Sequence, residues 1–208
     1  NKVNWNPIDP SSDELSGEER WQRICEVLME QMRQAGQSAL DAIPTIRRLD
    51  KEDKLTGRID RFERYLEEED FTTAVSLFMG EQMAGLIEMG NRAFLDGSVT
   101  EAKEIYAFAQ LANPLSVEPL IGQITVEWEE RGPERAADLY GAVVDVFQHP
   151  LLDMFAADCY IAANQPEKAR NLLERALGQV TGEGDFREDH GDLEAEIRSA
   201  LADETLAP

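Results

Sequence analysis

Histidine and cysteine are nearly missing from this chain of 208 residues, which holds two of each. His149 and His190 stand apart in sequence, and neither has neighbours arranged for metal binding or nucleophilic catalysis. Cys25 and Cys159 each sit inside an apolar helical pattern, the setting of reduced core thiols rather than of a disulfide or a metal pair. Basic residues are also scarce: 20 Lys and Arg face 42 Asp and Glu, a formal charge of −22. Nucleic acid and anionic membrane surfaces would repel such a chain, so neither is expected as a partner. An acidic rim could draw in a basic segment, although a plain solvated surface explains any single patch equally well. There is no run of about 18 apolar residues and no signal-peptide pattern, which leads to the expectation of a soluble, cytoplasmic protein. The sequence starts at Asn1 without methionine, which leaves the native start open.

Phosphate loops, Walker patterns and nucleophile elbows are absent as well. The acidic run from Asp185 to Glu196 lacks the alternating oxygen ligands of a calcium loop. Paired carboxylates occur throughout so acidic a chain, so no one pair carries catalytic information. The expectation is a protein that is not an enzyme and uses neither metal nor cofactor.

What the chain does have is a repeat. Apolar residues make up 42% of it, enough for a continuous helical core. Three alanines, Ala102, Ala136 and Ala169, mark a period of about 34 residues. In the first copy, Leu86, Met89, Gly90 and Ala93 share one helix face, Gly97 makes the turn, and Ala102, Tyr106 and Ala109 face back before Pro114. In the second, Leu120, Ile121, Ile124 and Trp128 precede the Gly132-Pro133 turn, then Ala136, Tyr140 and Val143 follow. This turn is one residue shorter than the first, so the register of its first helix is set only to within one position. In the third, Ala156, Ala157 and Tyr160 lead to Ala169, Leu173 and Ala176. Period and small-residue positions together indicate an all-α fold, a tetratricopeptide (TPR) superhelix whose repeats fill residues 81–180.

The flanks are helical too. Residues 1–15 read as an irregular arm containing Trp5, which either anchors the arm on the body or docks on a neighbour. Ser16 and Glu19 form a capping box, and Trp21, Ile24, Leu28 and Met32 recur at helical spacing behind it. A second helix is expected from about Thr45, broken at Asp50–Lys54, with Leu55, Ile59, Phe62 and Leu66 as its apolar stripe. Phe71, Val75 and Phe78 continue into a short helix ended by Gly80. Residues 1–80 are thus an N-terminal extension, open to two readings: a degenerate repeat, or a capping or homodimerisation unit. From 181 to 208 an acidic loop leads to a last amphipathic helix, with Leu193, Ile197 and Leu201 covering the end of the stack.

In a TPR stack the first helix of each pair lines the inner surface. Its outward positions are Ala84, Ile87, Asn91, Phe94 and Leu95 in the first copy, and Leu151, Met154, Asp158, Ile161 and Ala162 in the third. In the second they are Gly122, Val126 and Glu129. This surface is apolar, with an amide or carboxylate at matching points, and suits an extended apolar segment of another protein. Burial under residues 1–80 or under a second copy is the competing account of the same apolar positions.

The third copy opens HPLLDMFAADCYIAANQPEKARNLLERAL, from His149 to Leu177. Its Phe155-Ala156-Ala157-Asp158-Cys159 stretch resembles the aromatic and Ala-Ala-acid-Cys residues that open the third repeat of the class II chaperones of type III secretion systems. The resemblance covers roughly residues 75–180. It implies a bacterial cytosolic chaperone that holds secreted translocator subunits in its concave groove. The alternative is a TPR scaffold or regulatory adaptor bound to a fixed partner within a complex.

Overall fold

In the computed structural model, the described residues are 40–51, 54–68, 70–114, 116–141, 143, 147–182 and 191–202. All regular secondary structure among them is helical. The helices are α1 (Ile43–Leu49), α2 (Thr56–Glu67), α3 (Phe71–Ser76), α4 (Glu81–Leu95), α5 (Val99–Ala112), α6 (Glu118–Arg131), α7 (Pro133–Gly141), α8 (Pro150–Ala162), α9 (Pro166–Thr181) and α10 (Gly191–Leu201). They form two compact units, one running to Val126 and the other beginning at Glu127. The expectations for Trp5, the Ser16–Glu19 cap, Cys25, the helix behind it, and the loop with His190 lie outside the described residues.

The repeat of helix pairs is present as the sequence indicates. Ala102, Ala136 and Ala169 are each the fourth residue of their helix, α5, α7 and α9, and each is fully buried. Two of the turns share one geometry. After α4, Ser98 N–H donates to Ala93 O at 2.8 Å and Gly97 N–H to Phe94 O at 3.0 Å. After α8, Gln165 N–H donates to Tyr160 O at 2.8 Å and Asn164 N–H to Ile161 O at 2.9 Å. These are the two bonds of a Schellman cap, which needs a left-handed residue at its centre. Gly97 supplies it at φ 77°, and Asn164 supplies it at φ 57°. The turn after α6 is the short one. There Gly132, at φ 91°, donates once, to Trp128 O at 2.8 Å, and Pro133 starts the next helix immediately.

The first unit contains an abbreviated fourth pair. After α2, Asp70 N–H donates to Tyr65 O at 2.9 Å, the longer of the two Schellman bonds, and Asp70 Oδ1 accepts from Thr73 N–H at 3.2 Å. Ala74, fully buried, is again the fourth residue of the second helix. That helix, α3, stops after six residues, which is why the 34-residue period does not extend back to it. The helix expected from Thr45 is split in two by Asp50, as its charged break suggests. The buried Asp50 carboxylate accepts from the N–H groups of Lys54 at 3.0 Å, Leu55 at 2.8 Å and Thr56 at 2.8 Å. Burial alone would raise its pKa, but these bonds outweigh it and hold the carboxyl below its usual range.

The core of this unit is aromatic. Phe62, Phe78 and Phe108 meet edge to face with ring centroids 5.4–5.5 Å apart, and all three are fully buried. Helix α1 is tied to α5 by Thr45 Oγ1, which donates to Glu104 at 2.8 Å, and by the Arg48–Glu101 pair at 2.6 Å. In the second unit Ala157, Ala169, Leu173 and Ala176 build the core between α8 and α9, and Leu193 and Ile197 of α10 close it. His149 caps α8, its Nδ1 accepting from Leu151 N–H at 3.2 Å. Cys159 is buried, and its thiol is pushed up to about 11 by burial and by the charge of Asp158.

Candidate functional site: the first-helix faces

Each outward face is set by which side of the helix its partner occupies. On α4, Leu86, Gly90 and Ala93 turn inward and are buried. The opposite stripe carries Ala84, Ile87, Asn91, Phe94 and Leu95. Ala84 and Asn91 are exposed, Ile87 and Phe94 are half-buried against the core, and Leu95 is 84% exposed. Asn91 is not free to act only on a visitor, because its Oδ1 accepts from the hydroxyl of Tyr106 at 2.6 Å.

Helix α6 departs from the sequence expectation. Gly122 and Val126 are buried and do not line an open face, whereas Glu129 is exposed. The cause is Tyr106. A Cβ on Gly122 would lie 2.5 Å from the Tyr106 ring, and one on Gly90 would lie 2.6 Å from it. The two glycines form a slot for that ring, one on α4 and one on α6, and Gly122 must therefore face inward. The register of α6 moves by one position. Ile121, Thr125 and Trp128, all half-buried, stand where Gly122, Val126 and Glu129 were expected.

On α8 the stripe is Leu151, Met154, Phe155, Asp158, Ile161 and Ala162. Leu151, Met154 and Ile161 are half-buried against the second core, Ala162 is exposed, and Phe155 is 37% exposed. Asp158 is exposed at its centre, yet desolvation raises its carboxyl above the usual range.

Sequence reasoning missed a polar cluster behind that face. Asp153, fully buried in the first turn of α8, receives the Tyr140 hydroxyl on Oδ1 at 2.6 Å. Arg175 of α9 clasps the same carboxylate, with Nη2 to Oδ1 and Nε to Oδ2 both at 2.7 Å. Burial, followed by the bond to Asp153, raises the Tyr140 phenol far above its usual pKa, and the bond to Asp153 raises that of Arg175. With its groups paired in this way, the cluster fastens α7, α8 and α9 together.

The first unit also has a cleft of about 840 Å³ lined by Arg48, Arg58, Arg92, Glu81, Glu88 and Glu101, among others. Its charges largely answer one another: Arg48 pairs with Glu101 and Arg92 with Glu88, each at 2.6 Å. Among the described residues, no group of His, Cys, Asp and Glu is placed to hold a metal ion, and no helix is long and apolar enough to cross a membrane.

No family model matches the chain, and no curated protein matches it. Solved structures do. One is the type III secretion translocator chaperone SycD of Yersinia enterocolitica, at 15% identity and a TM-score of 0.47, covering 58% of this chain and 88% of that one. Another is a chain of the CopN-Scc3 complex, at 19% identity and a TM-score of 0.44, covering 59% of this chain and 70% of that one. The likeness to both is one of fold alone.

Proposed function

We propose that this protein binds another polypeptide without performing chemistry on it, holding an apolar extended segment against the first-helix faces of its TPR pairs. In this reading it is a bacterial cytosolic chaperone of type III secretion translocators, the role implied by the Phe155–Cys159 stretch and carried by the neighbour SycD. The observation behind it is that the outward face of α4 and the outward face of α8 each leave apolar side chains open. Leu95 is 84% and Phe155 37% exposed, flanked by half-buried Phe94, Met154 and Ile161. Large apolar side chains left exposed on a first-helix face call for a covering partner, and extended peptides meet such a surface with alternate side chains.

The test is co-expression with a translocator subunit, followed by affinity purification. A soluble complex is expected with the wild-type protein, and loss of most of it with Leu95→Glu or Phe155→Glu. A charge on either side chain would be desolvated under the client. Exposed positions are chosen because Phe94 and Ile161 also support the cores, where a charge would act on folding as well. Recovery of an intact complex with both folded variants would refute the groove. Recovery only of a folded regulatory protein would favour an adaptor role.

A further inference from the structure

We propose that the outward face of α8 takes a polypeptide segment in which apolar residues flank one lysine or arginine, the cation pairing with Asp158. The inference rests on the peptide-binding reading above and names the chemistry of its partner.

The repeat itself supplies the reason. Asn91 and Asp158 are counterparts in the first and third copies. In the first, the side-chain oxygen is satisfied from within, by the hydroxyl of Tyr106 on the following helix at 2.6 Å. The same step along the third copy leads from Asp158 to Leu173, which is fully apolar and buried in the core. The third copy therefore lacks the internal donor at the position where its acceptor is a carboxylate. Among the described residues no hydrogen bond or ion pair reaches the Asp158 carboxylate.

Nearby cations are engaged elsewhere. Arg175 is clasped on Asp153, and Lys168 lies over the Tyr160 ring, 5.2 Å from its centroid. Met154, Phe155 and Ile161 lie three or four residues from Asp158 along the same helix face, and the carboxylate is itself partly desolvated. A carboxylate so placed gains most from a donor that brings its own positive charge under the same apolar cover. The formal charge of −22 favours the approach of such a segment over a neutral or acidic one.

The experiment is selection of a displayed random peptide library on wild-type protein, on Asp158→Asn and on Phe155→Glu, whose side chain is exposed. Wild type should enrich peptides with apolar residues around one Lys or Arg. Asp158→Asn should keep the apolar enrichment and lose the basic one, and Phe155→Glu should lose the apolar enrichment. For one selected peptide, replacing its Lys by norleucine should weaken binding to wild type about tenfold and to Asp158→Asn less than about twofold. Equal basic enrichment on wild type and Asp158→Asn would overturn the pairing while leaving the groove intact. Apolar enrichment that survives Phe155→Glu would overturn the groove as well. Light scattering of Phe155→Glu gives the remaining outcome: a dimer that becomes a monomer, with peptide selection unchanged, would assign this face to a second copy and overturn the proposal.

Discussion

The two units place a tyrosine at the same repeat position, four residues after the marker alanine, and bury it by opposite means. In the first, Tyr106 is fitted by subtraction: Gly90 and Gly122 give up their side chains so that its ring can lie between α4 and α6. Its hydroxyl then reaches the exposed Asn91. In the second, Tyr140 is held by addition. A fully buried aspartate takes its proton side, and an arginine from a third helix neutralises that aspartate. One repeat frame thus tolerates either a steric or an electrostatic solution, and the two should fail differently when disturbed.

The largest difference should come from the electrostatic side. Arg175→Met leaves the Asp153 charge buried and unpaired, and should cost about 3–5 kcal/mol in urea denaturation. Replacing the whole cluster, as Tyr140→Phe with Asp153→Leu and Arg175→Met, should recover most of that loss, because no polar group is then stranded. A single variant as stable as wild type would mean that the carboxylate is not dependent on Arg175. On the steric side, Gly122→Ala should cost about 1–3 kcal/mol, as overpacking does. Adding Tyr106→Leu should relieve the clash and make the glycine position tolerant. If the alanine costs as much in the leucine background, the slot is not the reason for Gly122.

The smallest effects should appear at the turns, where the units agree. Gly97→Asn and Asn164→Gly should each change stability by less than about 0.5 kcal/mol, since both residues accept the left-handed conformation. Alanine at either position should cost about 1 kcal/mol, read as a lower Tm. Unequal costs for the two alanines would separate turns that now look equivalent.

The same contrast explains what could be read from the sequence. Ala102, Ala136 and Ala169 announce the pairs because a small residue at a fixed period has few other causes, and all three are buried. Gly97 and Gly132 announce turns for the same reason. Leu55, Ile59 and Phe62 are legible as a stripe, and all are buried. Gly122 was open to misreading, because a glycine on a helix shows no side of its own and only Tyr106 tells which way it faces. Asn164 fills a left-handed position without the glycine that would advertise it. Glu104, on a helix face that looks free in sequence, accepts a bond from Thr45 of α1. Asp153 carries no signal among 42 acidic residues, since its meaning depends on an arginine 22 residues on, in the following helix. Ala74 escaped the period because α3 is cut short.

Arg175 also governs how this region opens. Peeling α9 from α8 withdraws the guanidinium from Asp153 and strands its carboxylate where, among the described residues, no other cation pairs with it. Partial fraying of the pair is thereby penalised much more than separation of two apolar faces would be. The backbone amides of α8 and α9 should then exchange with deuterium as one cooperative block rather than from the ends inward. A client seated on α8 would rest on a surface that is either wholly formed or wholly absent, with little in between.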